Sequence, residues 1–197
     1  MSERTRNGYT LIELLTVVAL VGLFAGITFP AFVNMQRRSA LRAAAGQLRS
    51  ICHLTRSRAL QRGSNSGVKF FKAAGEWQYA IYDDGDGDGV RNDDIDRRID
   101  RRVTLPRRAL PESKIVTIGL LRQVIKDPDG DRLLPTASPV HFNRSAICSF
   151  TPLGESTPGT IYLTDRGDQL YAVRVFGATA KIRTLRYDAS SRTWRNR

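Results

Sequence analysis

From Leu14 to Val33 the chain runs for twenty residues without a charge. At 1.5 Å rise per residue a helix of that length covers about 30 Å, the hydrocarbon thickness of a bilayer. Ahead of it, Met1 to Gly8 form a short polar stretch with Arg4 and Arg6. These cations place the N-terminus on the cytoplasmic side by the positive-inside rule. The rest of the chain is then expected outside the inner membrane, in the periplasm, where disulfides are permitted. One carboxylate, Glu13, interrupts the apolar part near its start. An ionisable group at a helix centre in lipid costs roughly 2.5–3.5 kcal/mol, less near the interface, so Glu13 calls for a function.

The order Gly8-Tyr9-Thr10-Leu11-Ile12-Glu13, followed by the apolar run, resembles the cleavage and methylation motif of type IV pilins and type II secretion pseudopilins. The resemblance implies that a prepilin peptidase cuts after Gly8 and methylates Tyr9, where the family usually has Phe. It also implies that Glu13 pairs with the N-terminal amine of a neighbouring subunit during assembly, and that Pro30 marks a helix kink. A secretory signal would place its apolar part before the cut, with small residues at the site. Here the apolar part follows Gly8 and stays on the mature chain.

Beyond Pro30 the helical period resumes. Leu41, Ala45, Leu48, Cys52 and Ala59 share one face, and Arg38, Arg42, Arg49 and Arg56 form another. From Gln36 to Arg62 there are seven arginines and no acidic residue. This stripe reads either as a solvated face or as a contact for acidic neighbouring subunits or phosphates. Gly63 supplies a stop signal. One helix over about 10–62 is therefore expected, transmembrane over 9–33 and amphipathic over 34–62, after a leader of 1–8.

From Val68 the period changes to two. Val68–Lys72 and Trp77–Tyr82 read as a hairpin around Gly75. Further strands are expected at Arg101–Leu105, Ile115–Leu121, Val140–Phe142, Ala146–Phe150, Thr160–Leu163, Gln169–Phe176 and Ala180–Tyr187. The fold class is α+β: a long helix on an antiparallel β-domain of residues 63–197, with two packed sheets. Near the C-terminus, Ile147–Gly154, Gly159–Leu163 and the strand pair around Gly177 resemble the GspH/FimT group of minor pseudopilins and pilins. That group often carries Gly-Arg-x-Arg in its last hairpin, where this chain has Ala180-Lys181-Ile182-Arg183.

Asp84-Gly85-Asp86-Gly87-Asp88-Gly89 has the first half of a calcium loop, with carboxylates at alternate positions and then glycine. The twelfth position, where a bidentate carboxylate belongs, is Ile95. Ca²⁺ held by Asp84, Asp86 and Asp88 competes with a plain acidic loop, which could also receive a neighbour's arginine stripe. Asp127-Pro128-Asp129-Gly130-Asp131 reads as a turn. Cys52 and Cys148 are either a disulfide between helix and sheet or two separate buried thiols.

The formal charge is +12, or +11 once a leader carrying Glu3, Arg4 and Arg6 is lost. With Lys181, Arg183, Arg186 and the tail Arg192, Trp194, Arg195, Arg197, this leaves DNA as an alternative partner beside other pilins, the prepilin peptidase and the inner membrane. His53 and His141 are the two histidines, and neither sits in a metal or nucleophile spacing. No enzyme activity and no required cofactor are expected. The expected function is a minor pseudopilin or minor pilin subunit.

Overall fold

A computed structural model describes residues 10–110, 115–133 and 135–196, without the side chains of residues 27, 30, 31 and 132. Gly8 and Tyr9, the expected cleavage and methylation residues, lie outside the described residues. The chain divides into two compact units, Met1–Arg38 and Ser39–Arg197.

Helix α1 spans Leu11–Arg62. In the first unit its large apolar side chains from Leu11 to Phe32 are 50–80% exposed, all round the helix. Among the described residues, no helix is long and apolar enough to cross a membrane. The described side chains omit three members of the apolar run, at positions 27, 30 and 31.

In the second unit the same helix behaves differently. Leu41, Ala45, Leu48, Cys52 and Ala59 are fully buried, as their spacing predicts. Gly63 ends the helix at φ 65°, and its N–H reaches the Ala59 carbonyl at 3.0 Å.

The strands form two main antiparallel sheets. The first is ordered β3-β2-β1-β9 (Arg101–Arg102, Glu76–Asp83, Ser66–Ala73, Ile147–Phe150), with β4 (Arg107–Arg108) also on β2. The β1–β2 hairpin closes through Ala74 and Gly75, both at positive φ. That is the two-residue turn whose twist matches the strands. The second sheet is ordered β13-β12-β11-β10-β5 (Thr193–Asn196, Lys181–Asp188, Leu170–Phe176, Gly159–Thr164, Thr117–Ile118), with β8 (Val140–Phe142) also on β10. A small third sheet pairs β6 (Ile125–Lys126) with β7 (Arg132–Leu133) across the Asp127–Asp131 turn.

The main core joins α1 to one face of each sheet, through Leu48, Phe70, Phe150, Val173 and Ile182 among others. Burying each such side chain stabilises the fold by roughly 1.5–3 kcal/mol. Smaller clusters cover the other faces. Leu121 and Ile125 cover the second sheet beside Tyr162 and Leu170, while Val90 and Ile95 cover the first beside Ala80 and Tyr82.

Three expectations need correcting, and the tail adds a strand. The strand expected at Ile115–Leu121 shrinks to Thr117–Ile118, because Leu120 and Leu121 leave the edge to join the outer cluster. Arg101–Leu105 shrinks to two residues; beyond them the Thr104 hydroxyl accepts the Ile81 N–H at 3.0 Å in place of a ladder bond. The acidic segment contains a short helix, α2 (Asn92–Asp96), that the sequence reading treats as loop. The tail is strand β13, with Trp194 packed on Tyr162 and Tyr187 and its indole N–H donated to the Lys126 carbonyl at 2.9 Å. Trp194 thus has a packing role at a strand end.

Candidate functional site

Three clusters carry the candidate roles. The first is the start of α1. The Glu13 N–H donates to the Thr10 hydroxyl at 3.3 Å, and the Thr10 N–H donates to the Glu13 carboxylate at 3.4 Å. This reciprocal pair is a capping box, which satisfies two backbone donors that a helix start leaves without partners. Thr-x-x-Glu is a legible signature of it, passed over in the sequence because Glu13 reads first as an assembly residue. Glu13 is exposed, so its carboxylate is both a cap and accessible.

The second cluster lies where α1 ends on β2. Arg58 donates from Nε and Nη2 to the two oxygens of Asp83, each at 2.7 Å, and Arg62 adds a contact at 3.2 Å. The Ser66 hydroxyl donates to the same carboxylate at 3.0 Å. The Arg58 hydrogen bonds, ahead of the opposing effect of burial, hold Asp83 below the usual carboxylate range. This clamp ties helix to sheet.

Asp84 follows directly and organises the acidic loop. Its Oδ1 accepts the N–H of Asp86 at 3.1 Å and of Gly87 at 2.8 Å; its Oδ2 accepts Gly89 at 2.8 Å and the Asn65 amide at 2.6 Å. Burial pushes its pKa up, but these bonds outweigh it and the net shift is downward. Asp88 shifts upward through desolvation, with Asp86 and Asp94 adding repulsion against the pull of Arg91. One carboxylate oxygen from each of Asp84, Asp86 and Asp88 lies within 4.8 Å of the others. Ile95, the departure at position twelve, packs on the outer face of the first sheet. Gly85 is fixed by space: a Cβ there would meet the Ile99 carbonyl oxygen at 2.2 Å.

The third cluster is the β11–β12 hairpin. Register pairs Arg174 with Arg183 and Phe176 with Lys181. The Arg174 and Arg183 guanidiniums sit 5.4 and 5.7 Å from the Phe176 ring centroid. Arg174 is also paired with Asp129 at 2.5 Å, while Lys181 is exposed. At the turn, Ala180 has φ 45°, a left-handed conformation suited to glycine. That accounts physically for a glycine at the corresponding place in the GspH/FimT pattern. Here Ala180 is fully buried, and its carbonyl accepts Arg56 Nη1 at 3.2 Å. Arg56 is therefore a docking residue, not part of the solvated stripe.

Cys52 and Cys148 are both free and fully buried in the main core. Burial, and then the neighbouring Cys52 thiol, push the Cys148 thiol far up. Both thiols lie in one core cluster, Cys52 on α1 and Cys148 on β9.

A helix that leaves its first apolar half uncovered and packs its second half on an antiparallel β-domain defines a pilin-like subunit. The chain belongs to the type II transport protein GspH family, whose model matches residues 44–179. The prokaryotic N-terminal methylation motif matches residues 4–29, which include Gly8, Tyr9 and Glu13. No curated protein and no solved structure matches the chain.

Proposed function

We propose that the chain is a minor pseudopilin or minor pilin, a structural subunit cut after Gly8, methylated on Tyr9 and held in the inner membrane until it enters a filament. The observation that carries this reading is the ring of apolar side chains from Leu11 to Phe32, 50–80% exposed. An all-round apolar helix needs lipid or other helices around it. Leaving lipid for a filament core, Glu13 gains the amine of a neighbouring subunit as a partner. Gly8→Ala should leave the precursor uncut by intact mass. Glu13→Ala should be cut normally yet fail to enter filaments, and wild-type incorporation of that variant would remove the role given to Glu13.

The Asp84–Asp86–Asp88 loop supports Ca²⁺ as a ligand, on the convergence of its three carboxylates. Hard oxygen donors suit the ion, and a cation there would relieve the repulsion felt by Asp88. Excess Ca²⁺ should raise the melting temperature, as any ligand of the native state does. Asp86→Asn/Asp88→Asn should abolish that rise; an equal rise in the variant would count against the loop.

DNA capture is the alternative reading, favoured by the shared face of Arg174, Phe176, Lys181 and Arg183. Binding by several cations falls with salt at a log–log slope of roughly −0.7 to −0.9 per phosphate contact. Absence of binding at low salt, or no loss in Lys181→Ala/Arg183→Ala, would end that reading.

A further inference from the structure

Midway along the packed half of α1 stands Gly46, where an added Cβ would meet nothing within 4 Å. Glycine weakens a helix interior, and no close contact requires it here. What it does is open a notch. Arg42 lies four residues before it and Arg49 three after, so both border it on one side of the helix. Tyr171 and Thr184 of the second sheet complete a cleft of about 520 Å³, within the size range of small-ligand sites.

The charge in this cleft is of one sign. Arg42 and Arg49 are exposed, and among the described residues no carboxylate forms an ion pair with either. Arg49 uses only its Nε within the chain, donating to His53 Nε2 at 3.3 Å, which leaves its Nη groups for a ligand. Tyr171 is the second, independent sign of one. Its side chain lines the cleft but is only 1% exposed, and its hydroxyl is buried without a hydrogen-bond partner. A buried hydroxyl left without a partner costs free energy, and native structures seldom leave one so. Here it stands at the wall of a cleft bordered by two guanidiniums, where an entering anion would supply the acceptor. Half-buried Thr184 adds another hydroxyl to the same wall.

These donors come from a helix on one side and a sheet on the other, so they reach a ligand from different directions. A carboxylate offers two oxygens in one plane. A tetrahedral phosphate offers oxygens on every side and pairs bidentately with guanidinium groups. We propose that the Arg42–Gly46–Arg49 notch binds a phosphate group, with the two guanidiniums on its oxygens and the Tyr171 hydroxyl donating to it. A soluble phosphate and a phospholipid headgroup carry the same chemistry. The proposal goes beyond the reading of the chain as a filament subunit and uses neither Gly8 nor Glu13.

The test is the melting temperature of the full-length chain in non-ionic detergent micelles. Inorganic phosphate, replacing chloride at constant ionic strength, should raise it saturably, as a ligand of the native state does. A rise with phosphatidylglycerol in the micelle but none with inorganic phosphate would assign the notch to a lipid headgroup; a rise with inorganic phosphate would assign it to a soluble phosphate. Tyr171→Phe removes only the hydroxyl that lacks a partner. Without ligand it should unfold at the wild-type temperature or above, and with ligand its affinity should fall about tenfold, the usual scale for a hydrogen bond to a charged group. Arg42→Gln/Arg49→Gln should weaken binding further, and Gly46→Leu, which fills the notch, should abolish it. Arg101→Gln/Arg102→Gln removes the same charge from an exposed pair elsewhere and should leave binding unchanged. No rise with either phosphate source, a rise that Tyr171→Phe and Arg42→Gln/Arg49→Gln both leave intact, or an equal loss in Arg101→Gln/Arg102→Gln would each overturn the proposal. Cleavage after Gly8 is reported separately by intact mass, so failure here and failure of the subunit reading are distinguishable.

Discussion

The two halves of α1 are one helix with two solvents. Over residues 39–62 its apolar residues find cover within the chain: Leu41, Leu48 and Cys52 are fully buried against strands of both sheets. Over residues 11–32 the described large apolar side chains are exposed, with Leu11, Phe24 and Phe29 at 80%, 65% and 69%. Both halves are assigned to α1. The difference is the periodicity of the side chains: a stripe suits one protein face, while a ring suits lipid or a bundle of other helices. The packed half is stabilised from inside the molecule, and the bare half must be stabilised from outside it.

This contrast breaks down if the halves respond alike to mutation. The largest effect is expected in the packed half. Leu48→Ala should cost about 2–5 kcal/mol in denaturant unfolding of the globular unit, through lost burial and a residual cavity. Leu20→Ala should leave that unfolding unchanged, and an equal cost would mean that the bare half is covered after all.

Next comes the clamp at the helix end. Asp83→Asn should destabilise by about 1–3 kcal/mol, since it leaves Arg58 partly buried without its charged partner. Asp83 has a lowered pKa in the folded state. Its contribution is therefore full above the ordinary carboxylate value of 3.8 and is lost as pH falls through the lowered folded value. A wild-type acid limb that disappears in Asp83→Asn would locate that titration; an unchanged limb would place it elsewhere.

A smaller gain is expected at the β11–β12 turn. Ala180→Gly should stabilise by about 1 kcal/mol, because glycine takes a positive φ without the Cβ penalty. Loss of the methyl group from the core offsets part of this gain. A clear destabilisation would show that packing at Ala180 outweighs backbone strain. Least of all, Thr10→Ala should fray the first turn of α1 by about 1 kcal/mol, visible in hydrogen exchange at residues 11–14 and nowhere in the globular unit.

Much of this contrast was legible in the sequence. Spacing alone assigned Leu41, Ala45, Leu48, Cys52 and Ala59 to a buried face, and the Gly63 stop and the β1–β2 hairpin were equally plain. The short pieces were not. Strands β4, β6 and β7 have two residues each, too few for any period to register. Ile95 looked like a failed calcium ligand because its packing partners, Ala80 and Tyr82, are distant in sequence. Gly67 lies in β1, where a Cβ would meet Val90 Cβ at 2.8 Å and only glycine fits. Arg56 read as part of a stripe facing solvent or a partner because its acceptor, the Ala180 carbonyl, lies 124 residues away. The candidate calcium, DNA and cysteine residues were all nameable from sequence; what the fold added was their company, such as the four donors on Asp84 and the ring beneath Arg183.

The most direct test of the central reading is the intact mass of the chain recovered from cells that contain a prepilin peptidase. Loss of Met1 to Gly8 together with gain of one methyl group on Tyr9 is the expected result. A chain that keeps Met1–Gly8 while the peptidase processes other substrates, or one cut at any other position, would contradict it.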